Sequence, residues 1–286
     1  LAHIRKPEFM GNTRTYDKRH EQIADLPWST EEINERLEQF KKLSDRVEKL
    51  YATVPSNRKD AYFEMIQYPV QASNEMNKKM LYAQFARHTP SDSASLWKKS
   101  DAAYDSIVSL TRRFNSLLDG KWNHIISTAP RGLIVFDKVK RTASSTALVS
   151  SPAPLQLWNG TEHDAVTGQH TVIDGLGHSG KAIYLGKGGT VEYEYRNFRK
   201  DSLTVEVCLV PTHAVEGGKL RFAVSTDDRE PQVFDCETAE YSEEWKVNIL
   251  RAQAVKTARF PSGSRKGRIK ITALDEGVVI DQIRLR

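Results

Sequence analysis

The sequence predicts a multidomain protein in which an antiparallel helical bundle is followed by a β-sandwich. Up to about Leu118, apolar residues recur at intervals of three and four, the spacing that lines one face of an α-helix. From Leu133 onwards, short apolar or alternating runs are separated by Gly, Pro, Ser and Asp, as in short β-strands. We therefore expect a helical domain over residues 26–129, a linker over 130–154 and a β-sandwich over 155–286.

The first predicted helix follows Leu26-Pro27-Trp28-Ser29 and ends before Pro55. Ser29 and Glu32 have the spacing of a capping box, in which a hydroxyl and a carboxylate satisfy free amide groups at the helix start. The apolar face of this helix is predicted to consist of Ile33, Leu37, Phe40, Leu43, Val47, Leu50 and Val54.

Two further long helices are predicted, from Ser56 to His88 and from Ser91 to about Leu118. Pro69 lies inside the first of them and is expected to kink or break it, because proline has no backbone N–H group to donate. Asp119-Gly120 is expected to end the second. Their predicted core residues are Tyr62, Phe63, Ile66, Val70, Met76, Met80, Leu81 and Phe85, and then Leu96, Trp97, Ala103, Ile107, Leu110, Phe114 and Leu117.

The remaining sequence predicts many short strands with no helix between them, which is typical of a β-sandwich. The predicted strands are Leu133–Phe136, Thr171–Ile173, Ala182–Leu185, Thr190–Tyr195, Leu203–Leu209, Leu220–Val224, Trp245–Leu250, Gly267–Ala273 and Val278–Leu285.

Composition and charge argue against two classes of partner. The chain has 42 Lys and Arg residues and 37 Asp and Glu residues, a net charge of +5, and both signs are interspersed, so no basic patch for nucleic acid is expected. No apolar run approaches the roughly 20 residues that span a bilayer, so no membrane partner is expected either. Cys208 and Cys236 could form one disulfide bridge or remain separate as buried apolar side chains, and the sequence leaves both alternatives open.

The string from Asp174 to Ala182 matches the glycine pattern G-x-G-x-x-G and nearly matches a phosphate-binding loop. Both motifs need a helix after the glycines, but a strand-like run follows here, and Ala182 lacks the hydroxyl that would bind Mg²⁺. We therefore predict a tight turn between strands. The spacing of His163, His170, His178 and His213 fits no common zinc pattern, so no metal and no cofactor are expected.

Aromatic residues suggest a possible contact with sugar. Tyr193 and Tyr195 point to the same face of a predicted strand, and exposed aromatic rings can stack on sugar rings. This hypothesis requires that face to be exposed to solvent, and burial in the core of the sandwich is the alternative.

Several strings spread along the chain together resemble the carboxy-terminal part of one enzyme family. They are Arg5–Gly11, Arg14-Thr15, Phe63, Tyr68-Pro69-Val70, Met76–Lys79, Leu81–Gln84, Gly120–Trp122, Ala129–Leu133, Gly175–Gly180, Val210–His213, Trp245–Leu250 and Asp275–Val279. In this order they resemble glycoside hydrolase family 115, the xylan α-glucuronidases.

The resemblance implies that a (β/α)₈ barrel precedes the helical domain and that residues 1–25 are its tail or the passage out of it. It implies inverting hydrolysis of the bond between glucuronic or 4-O-methylglucuronic acid and xylose, by carboxyl groups carried on the barrel. The catalytic residues therefore remain unknown. The implied partners are that barrel in the same polypeptide, xylan or a related plant polysaccharide and a second copy of the chain, and the implied location is secreted or periplasmic.

One part of the helical domain is predicted to face the barrel or the edge of its cleft. It is the polar and aromatic set Tyr68, Asn74, Asn77, Lys78 and Tyr82, for which ordinary packing between helices is the alternative. The function predicted from the sequence is an accessory region of a xylan α-glucuronidase that is inactive alone. The alternatives are a carbohydrate-binding sandwich and a purely structural or dimerisation unit.

Overall fold

The computed structural model describes residues 25–130, 134–144, 146–151, 153–196, 198, 201–218, 220–227, 229–240, 242–261 and 265–286. These residues form two compact units that divide between residues 152 and 153. We call them the helical unit and the sandwich unit, and their order confirms the predicted fold class. Apart from Asp25, the predicted barrel tail lies outside the described residues.

Helix α1 spans Thr30–Thr53 and begins with the predicted capping box. The Glu32 amide donates to Ser29 Oγ at 3.2 Å, and the Ser29 amide donates to Glu32 Oε2 at 2.7 Å. The predicted apolar face is only partly buried, because Leu43 and Leu50 are 43% and 47% exposed. Helix α1 packs mainly against one other helix, so it buries a narrow stripe and leaves the edges of its apolar face open.

The second predicted helix is divided into several pieces. A 3₁₀ turn at Ser56–Arg58 leads into α2, Lys59–Tyr62, then a π-helical turn at Phe63–Gln67 and α3, Tyr68–His88. The expected break therefore precedes Pro69, which lies in the first turn of α3, where no backbone donor is needed. The prediction that Ile66 belongs to the core is wrong, since it is 44% exposed. A π-helical turn holds an extra residue and so rotates the faces of the helix.

Helix α4 spans Ser93–Gly120, and its backbone leaves the helical conformation at Leu117–Asp119, close to the predicted end. The residues that follow do not form the predicted strand at Leu133–Phe136. Ile134–Phe136 is a 3₁₀ turn, and Leu133 lies outside the described residues. Residues 134–144 and 146–151, which we call the strap, run along the helical unit. The Thr30 amide donates to Val149 O at 3.1 Å.

The sandwich unit consists of two antiparallel sheets. Its strands are β1 Gln156–Asn159, β2 Ala165–Thr167, β3 His170–Asp174, β4 Lys181–Leu185, β5 Thr190–Tyr195, β6 Ser202–Leu209, β7 Leu220–Thr226, β8 Gln232–Cys236, β9 Ala254–Pro261, β10 Gly267–Ala273 and β11 Val278–Leu285. One sheet has the order β3-β4-β11-β6-β9 with β1 paired to β11, and the other has the order β2-β5-β10-β7-β8. Buried apolar residues from both sheets form one core cluster.

The sequence missed four strands and, besides Leu133–Phe136, misassigned a second segment as a strand. The missed strands β1, β2, β8 and β9 each pair with a single neighbour, and such strands carry a weaker apolar pattern than central ones. The predicted strand at Trp245–Leu250 is wrong, because Glu243–Arg251 is a helix, α5. Ser242 caps this helix, because its side-chain oxygen accepts a hydrogen bond from the Trp245 amide at 3.3 Å. Two glutamates in the first turn interact favourably with the positive end of the helix dipole.

Cys208 and Cys236 are both buried and free, which decides between the two alternatives left open by the sequence. Burial raises the pKa of each thiol to about 12. No helix within the described ranges is long and apolar enough to cross a membrane.

Candidate functional site

Tyr68, the first residue of the predicted barrel-facing set, lies at the junction of α3 and α4. Its ring packs on Phe114, with the ring centroids 4.9 Å apart, and its hydroxyl lies 3.3 Å from Thr111 Oγ1. Burial raises the pKa of Tyr68 above its ordinary value. In the described structure, Tyr68 therefore serves packing between the two helices.

Three other members of the set come together between α1 and α3. Asn77 is buried, and its Oδ1 accepts from Arg36 Nε on α1 at 3.2 Å. Asn74 Nδ2 and Lys78 Nζ both donate to Glu75 Oε1, at 2.9 and 2.7 Å. The set therefore forms a polar cluster on α3, and whether it also contacts a barrel remains a prediction.

Tyr82 does not join this cluster. Its ring is half-buried, and the ammonium group of Lys99 on α4 lies 5.3 Å from the ring centre. The spacing of the set along α3 therefore does not bring all five side chains to one site.

The sequence did not reveal that the neighbouring Lys79 is fully buried. Lys79 Nζ donates to Val135 O and Asp137 O, both at 2.8 Å, and so holds the strap against α3. Burial lowers the pKa of Lys79 to about 7, and the charge of Asp137 opposes this shift. The position of Lys79 on the helix, beside the buried Met76 and Met80, was a sequence signal for its burial. Helical spacing alone did not distinguish Lys79 from its neighbour Lys78, which is partly exposed.

The C-terminal end of α3 also contacts the first described residues of the helical unit and the strap. His88 contacts Asp25 Oδ2 through Nε2 at 2.6 Å and Thr146 O of the strap through Nδ1. Arg87 forms an ion pair with Asp25. Gln84 donates to Leu26 O at 2.8 Å and accepts from the Leu26 amide at 3.1 Å. Helix α3 therefore joins the first described residues to the strap.

The predicted sugar-stacking rings are buried. Tyr193 is 0% exposed and donates its hydroxyl to Gly160 O at 2.8 Å, while Tyr195 is 3% exposed. Burial raises the pKa of Tyr193. Because β5 turns this face towards the opposite sheet, neither ring offers a surface on which a sugar could stack, and the condition for the stacking hypothesis is not met.

The glycine string forms the turn between β3 and β4, as predicted. Its residue His178 closes a polar cluster around Asp281, which is fully buried on β11. Asp281 Oδ1 accepts from the His178 amide, and Oδ2 accepts from His178 Nδ1 and Gln253 Nε2, all at 2.7 Å. Burial raises the pKa of Asp281, but the hydrogen bonds from His178 and Gln253 outweigh it, so the pKa lies below its ordinary value.

Two open concave surfaces lie on the described part of the helical unit. A groove of about 820 Å³, which we call the α4 groove, lies at the end of α4 and is lined by Val108, Thr111, Arg112, Asn115, Ser116, Asp119, Gly120, Asn123, His124, Ile126, Ser127 and Thr128. A cleft of about 480 Å³ lies between α1, α3 and α4 and includes Glu75, Asp105 and Arg113. Within the described residues, no three His, Cys, Asp or Glu side chains gather so as to hold a metal ion.

Comparisons with known proteins agree with the resemblance. Residues 161–286 match the model of the glycosyl hydrolase family 115 C-terminal domain. The solved structure of BtGH115A, described as a family GH115 4-O-methyl-α-glucuronidase with specificity for decorated arabinogalactans, is 46% identical and covers 100% of this chain with a TM-score of 0.82. This chain spans 37% of the length of that protein chain.

More distant solved structures match the chain over less than half of its length. A family 35 carbohydrate-binding module from Clostridium thermocellum is 10% identical, covers 46% of this chain and 98% of its own, and has a TM-score of 0.35. CsCBM6-3 from Clostridium stercorarium, solved with cellobiose, is 14% identical, covers 46% of this chain and 92% of its own, and has a TM-score of 0.34. No curated protein matches the sequence.

The identity to BtGH115A extends over both units, and the family model covers most of the sandwich unit. The chain is therefore the carboxy-terminal region of a glycoside hydrolase family 115 protein.

Proposed function

We propose that this chain is the accessory carboxy-terminal part of an α-glucuronidase that releases glucuronic or 4-O-methylglucuronic acid side chains from xylan, and that it is inactive alone. The observation that carries the proposal is 46% identity over the whole chain to a 4-O-methyl-α-glucuronidase, of which the chain spans 37%. Catalysis then belongs to a barrel in the same polypeptide, as the family resemblance implies.

The shifted pKa values among the described carboxyl groups supply no candidate for the proton donor of this reaction. Inverting hydrolysis needs one carboxylic acid that stays protonated, and therefore has a raised pKa, together with a carboxylate that activates water. The described carboxyl groups with shifted pKa values all shift downwards, which is the wrong direction for a proton donor. They are Glu31, Asp45, Glu194, Glu244, Asp275 and Asp281.

The polysaccharide is the least constrained part of the proposal. BtGH115A is described as specific for decorated arabinogalactans, which makes an arabinogalactan with glucuronic acid side chains the second candidate substrate. Both are extracellular plant polysaccharides, so either substrate supports the proposal that the parent enzyme is secreted or periplasmic.

The test uses the folded chain and proton NMR. The chain is incubated with glucuronoxylan oligosaccharides and, separately, with glucuronic acid-bearing arabinogalactan oligosaccharides, and the parent enzyme with its barrel is the positive control. We expect free uronic acid from the parent on one of the two substrates and none from the chain over hours. Release by the chain would overturn its inactivity, and no release by the parent on either would overturn the proposed activity.

We also propose that the polar cluster on α3 and Tyr82 serve the contact with the barrel, and that the parent forms a homodimer. The exposed side chains Leu43, Leu50, Met65 and Ile66 support an apolar contact of the helical unit with another surface. In the parent enzyme, Tyr82→Ala should lower activity without lowering the unfolding temperature. Unchanged activity and stability would rule out the role of Tyr82, and a monomer in sedimentation equilibrium would rule out the dimer.

A further inference from the structure

The helical unit contains a preformed concave surface that the proposed barrel chemistry does not use, the α4 groove. One wall is the last regular turn of α4, where Arg112, Asn115 and Ser116 lie at spacings of three and four from one another or side by side and so share one face. Asp119 continues this wall after the backbone has left the helical conformation. The other wall is the returning segment from Asn123 to Thr128. The volume of about 820 Å³ lies within the usual range of ligand sites, about 300–1,000 Å³.

The backbone at the turn that lines the groove is strained. Leu118, Asp119 and His124 have φ angles of 50°, 55° and 67°, which are left-handed conformations in residues other than glycine. Such conformations cost about 1–2 kcal/mol per residue, and they persist only where surrounding contacts hold them. Surrounding contacts therefore hold the chain reversal in a left-handed backbone conformation that these residues disfavour on their own.

Two contacts fix the walls in place. Asn115 Nδ2 donates to Ile126 O at 2.9 Å and Asn115 Oδ1 accepts from the Ile126 amide at 3.4 Å, which clips the returning segment to α4. Trp122 packs on the cluster of Phe63, Phe114 and Leu117 below the turn. A ligand would therefore meet a backbone segment that is already held in place, and binding would not have to order that segment.

Three polar side chains that line the groove are exposed to solvent and are not held by other groups of the described structure. Within the part of the chain that the structure describes, the side chains of Arg112, Asp119 and Asn123 make no hydrogen bond or ion pair, although all three line the groove. A guanidinium group offers a fork of donors that matches a carboxylate, while a carboxylate and an amide suit hydroxyl groups that both donate and accept. A uronic acid on a sugar chain presents both kinds of group.

We propose that the α4 groove binds a saccharide that carries a uronic acid, with the sugar carboxylate on Arg112 and sugar hydroxyls on Asp119 and Asn123. The choice of a uronic acid-bearing glycan rests on the proposed function, whereas the location of the site rests on the groove alone. It adds a binding site on the helical unit that is separate from the expected catalysis.

The test is a titration of the intact chain, followed by calorimetry and by NMR of the protein. The two probes are a xylo-oligosaccharide with one 4-O-methylglucuronic acid side chain and the same xylo-oligosaccharide without it. Arg112→Gln removes the proposed carboxylate partner. Arg46→Gln makes the same chemical change on an exposed arginine of α1 outside the groove and is the matched control.

We expect the substituted probe to bind and to shift the signals of Asn123 and His124, with at least tenfold weaker binding to Arg112→Gln and unchanged binding to Arg46→Gln. The unsubstituted probe should bind at least tenfold more weakly. No binding at millimolar concentration, equal binding of both probes, equal loss in the two variants, or shifts confined to the sandwich unit would each overturn the proposal. None of these results bears on whether the chain hydrolyses glycans, so failure here is distinct from failure of the proposed function.

Discussion

The two units of this chain are stabilised in different ways. In the sandwich unit, a single cluster of buried apolar side chains extends across both sheets. In the helical unit, the described apolar clusters are smaller, and the helix α3 buries polar and charged side chains. These are Gln84 and Arg87 near its C-terminal end, together with Asn74, Asn77 and Lys79.

Several polar side chains of α3 contact chain segments that lie outside the long helices. Lys79 and His88 hold the strap, and Gln84, Arg87 and His88 hold residues 25 and 26. At the N-terminus of α1, a backbone bond from Ser151 and the hydroxyl of Ser150 lower the pKa of Glu31 to about 2. The helical unit therefore relies on directed polar bonds beside its small apolar clusters, whereas the sandwich unit relies mainly on apolar burial and adds the polar cluster around Asp281.

The largest effect is expected from a cavity in the sandwich core. Phe222 on β7 is completely buried, so Phe222→Ala should lower the free energy of unfolding by about 3–5 kcal/mol, measured by denaturant titration. Val233→Ala on β8 is the control, because Val233 is largely exposed and should cost less than about 0.5 kcal/mol. Similar costs for the two variants would contradict a sandwich held by its apolar core.

The second prediction concerns the turn between β3 and β4. Gly177 has a φ of +78°, and a Cβ atom there would lie 2.4 Å from Asp281 Oδ1, so Gly177→Ala should cost about 2–4 kcal/mol. Gly180 has a φ of +79° with nothing within 4 Å of its Cβ position, so Gly180→Ala should cost only about 1–2 kcal/mol. Equal losses in denaturant titrations would mean that the contact with Asp281 is unimportant.

The third prediction concerns the pH dependence of the helical unit. The pKa of Lys79 is about 7 when folded and 10.5 ordinarily, so between these values the unfolded chain binds a proton that the folded chain has released. The free energy of unfolding should therefore rise with pH between about 7 and 10.5. Lys79→Met should abolish this rise and should increase hydrogen exchange in the strap.

Lys78→Met is the control for Lys79, since Lys78 is partly exposed and pairs with Glu75. It should leave the pH dependence and the exchange of the strap unchanged. Circular dichroism at the helical band, followed against denaturant at several pH values, separates the two variants. If the free energy of unfolding still rises with pH in Lys79→Met, another titrating group causes the rise.

The smallest effect is expected at Tyr68. Tyr68→Phe removes the hydroxyl that lies 3.3 Å from Thr111 Oγ1, and should cost about 0.5–1.5 kcal/mol in thermal unfolding of the helical unit. For Tyr82 the structure describes a cation over its ring and no bond of its hydroxyl to a described residue, so Tyr82→Phe should have almost no effect. A larger loss for Tyr82 would show that its hydroxyl has a partner.

Sequence alone predicted features that depend on a few neighbouring residues. The capping box of Ser29 and Glu32, the strand at Thr190–Tyr195 and the glycine turn before β4 all appear as expected. In each case the pattern lies within one element, and short-range backbone geometry is enough to specify it. The exception is α5, where an apolar run that could suit either element was resolved by the Ser242 cap and the acidic first turn.

The candidate sites were harder to predict, because their properties depend on residues that are distant in sequence. The helical period identified Lys78 and Lys79 as neighbours on α3, but burial of Lys79 follows from the strap, which meets α3 more than 50 residues later. The α4 groove also escaped prediction, since it exists only where the chain folds back and Asn115 binds Ile126.

The sequence by itself determined the order of a helical part and a sandwich, most element boundaries and the family, because these are encoded in local periodicity, caps, turns and short strings. Only the tertiary structure decided which side of each element is covered. Tyr193 and Tyr195 alternate with polar residues as an exposed or a buried face would, and the opposite sheet makes that face buried. Burial is a property of the assembled core, and the sequence of a single strand does not specify what will pack against it.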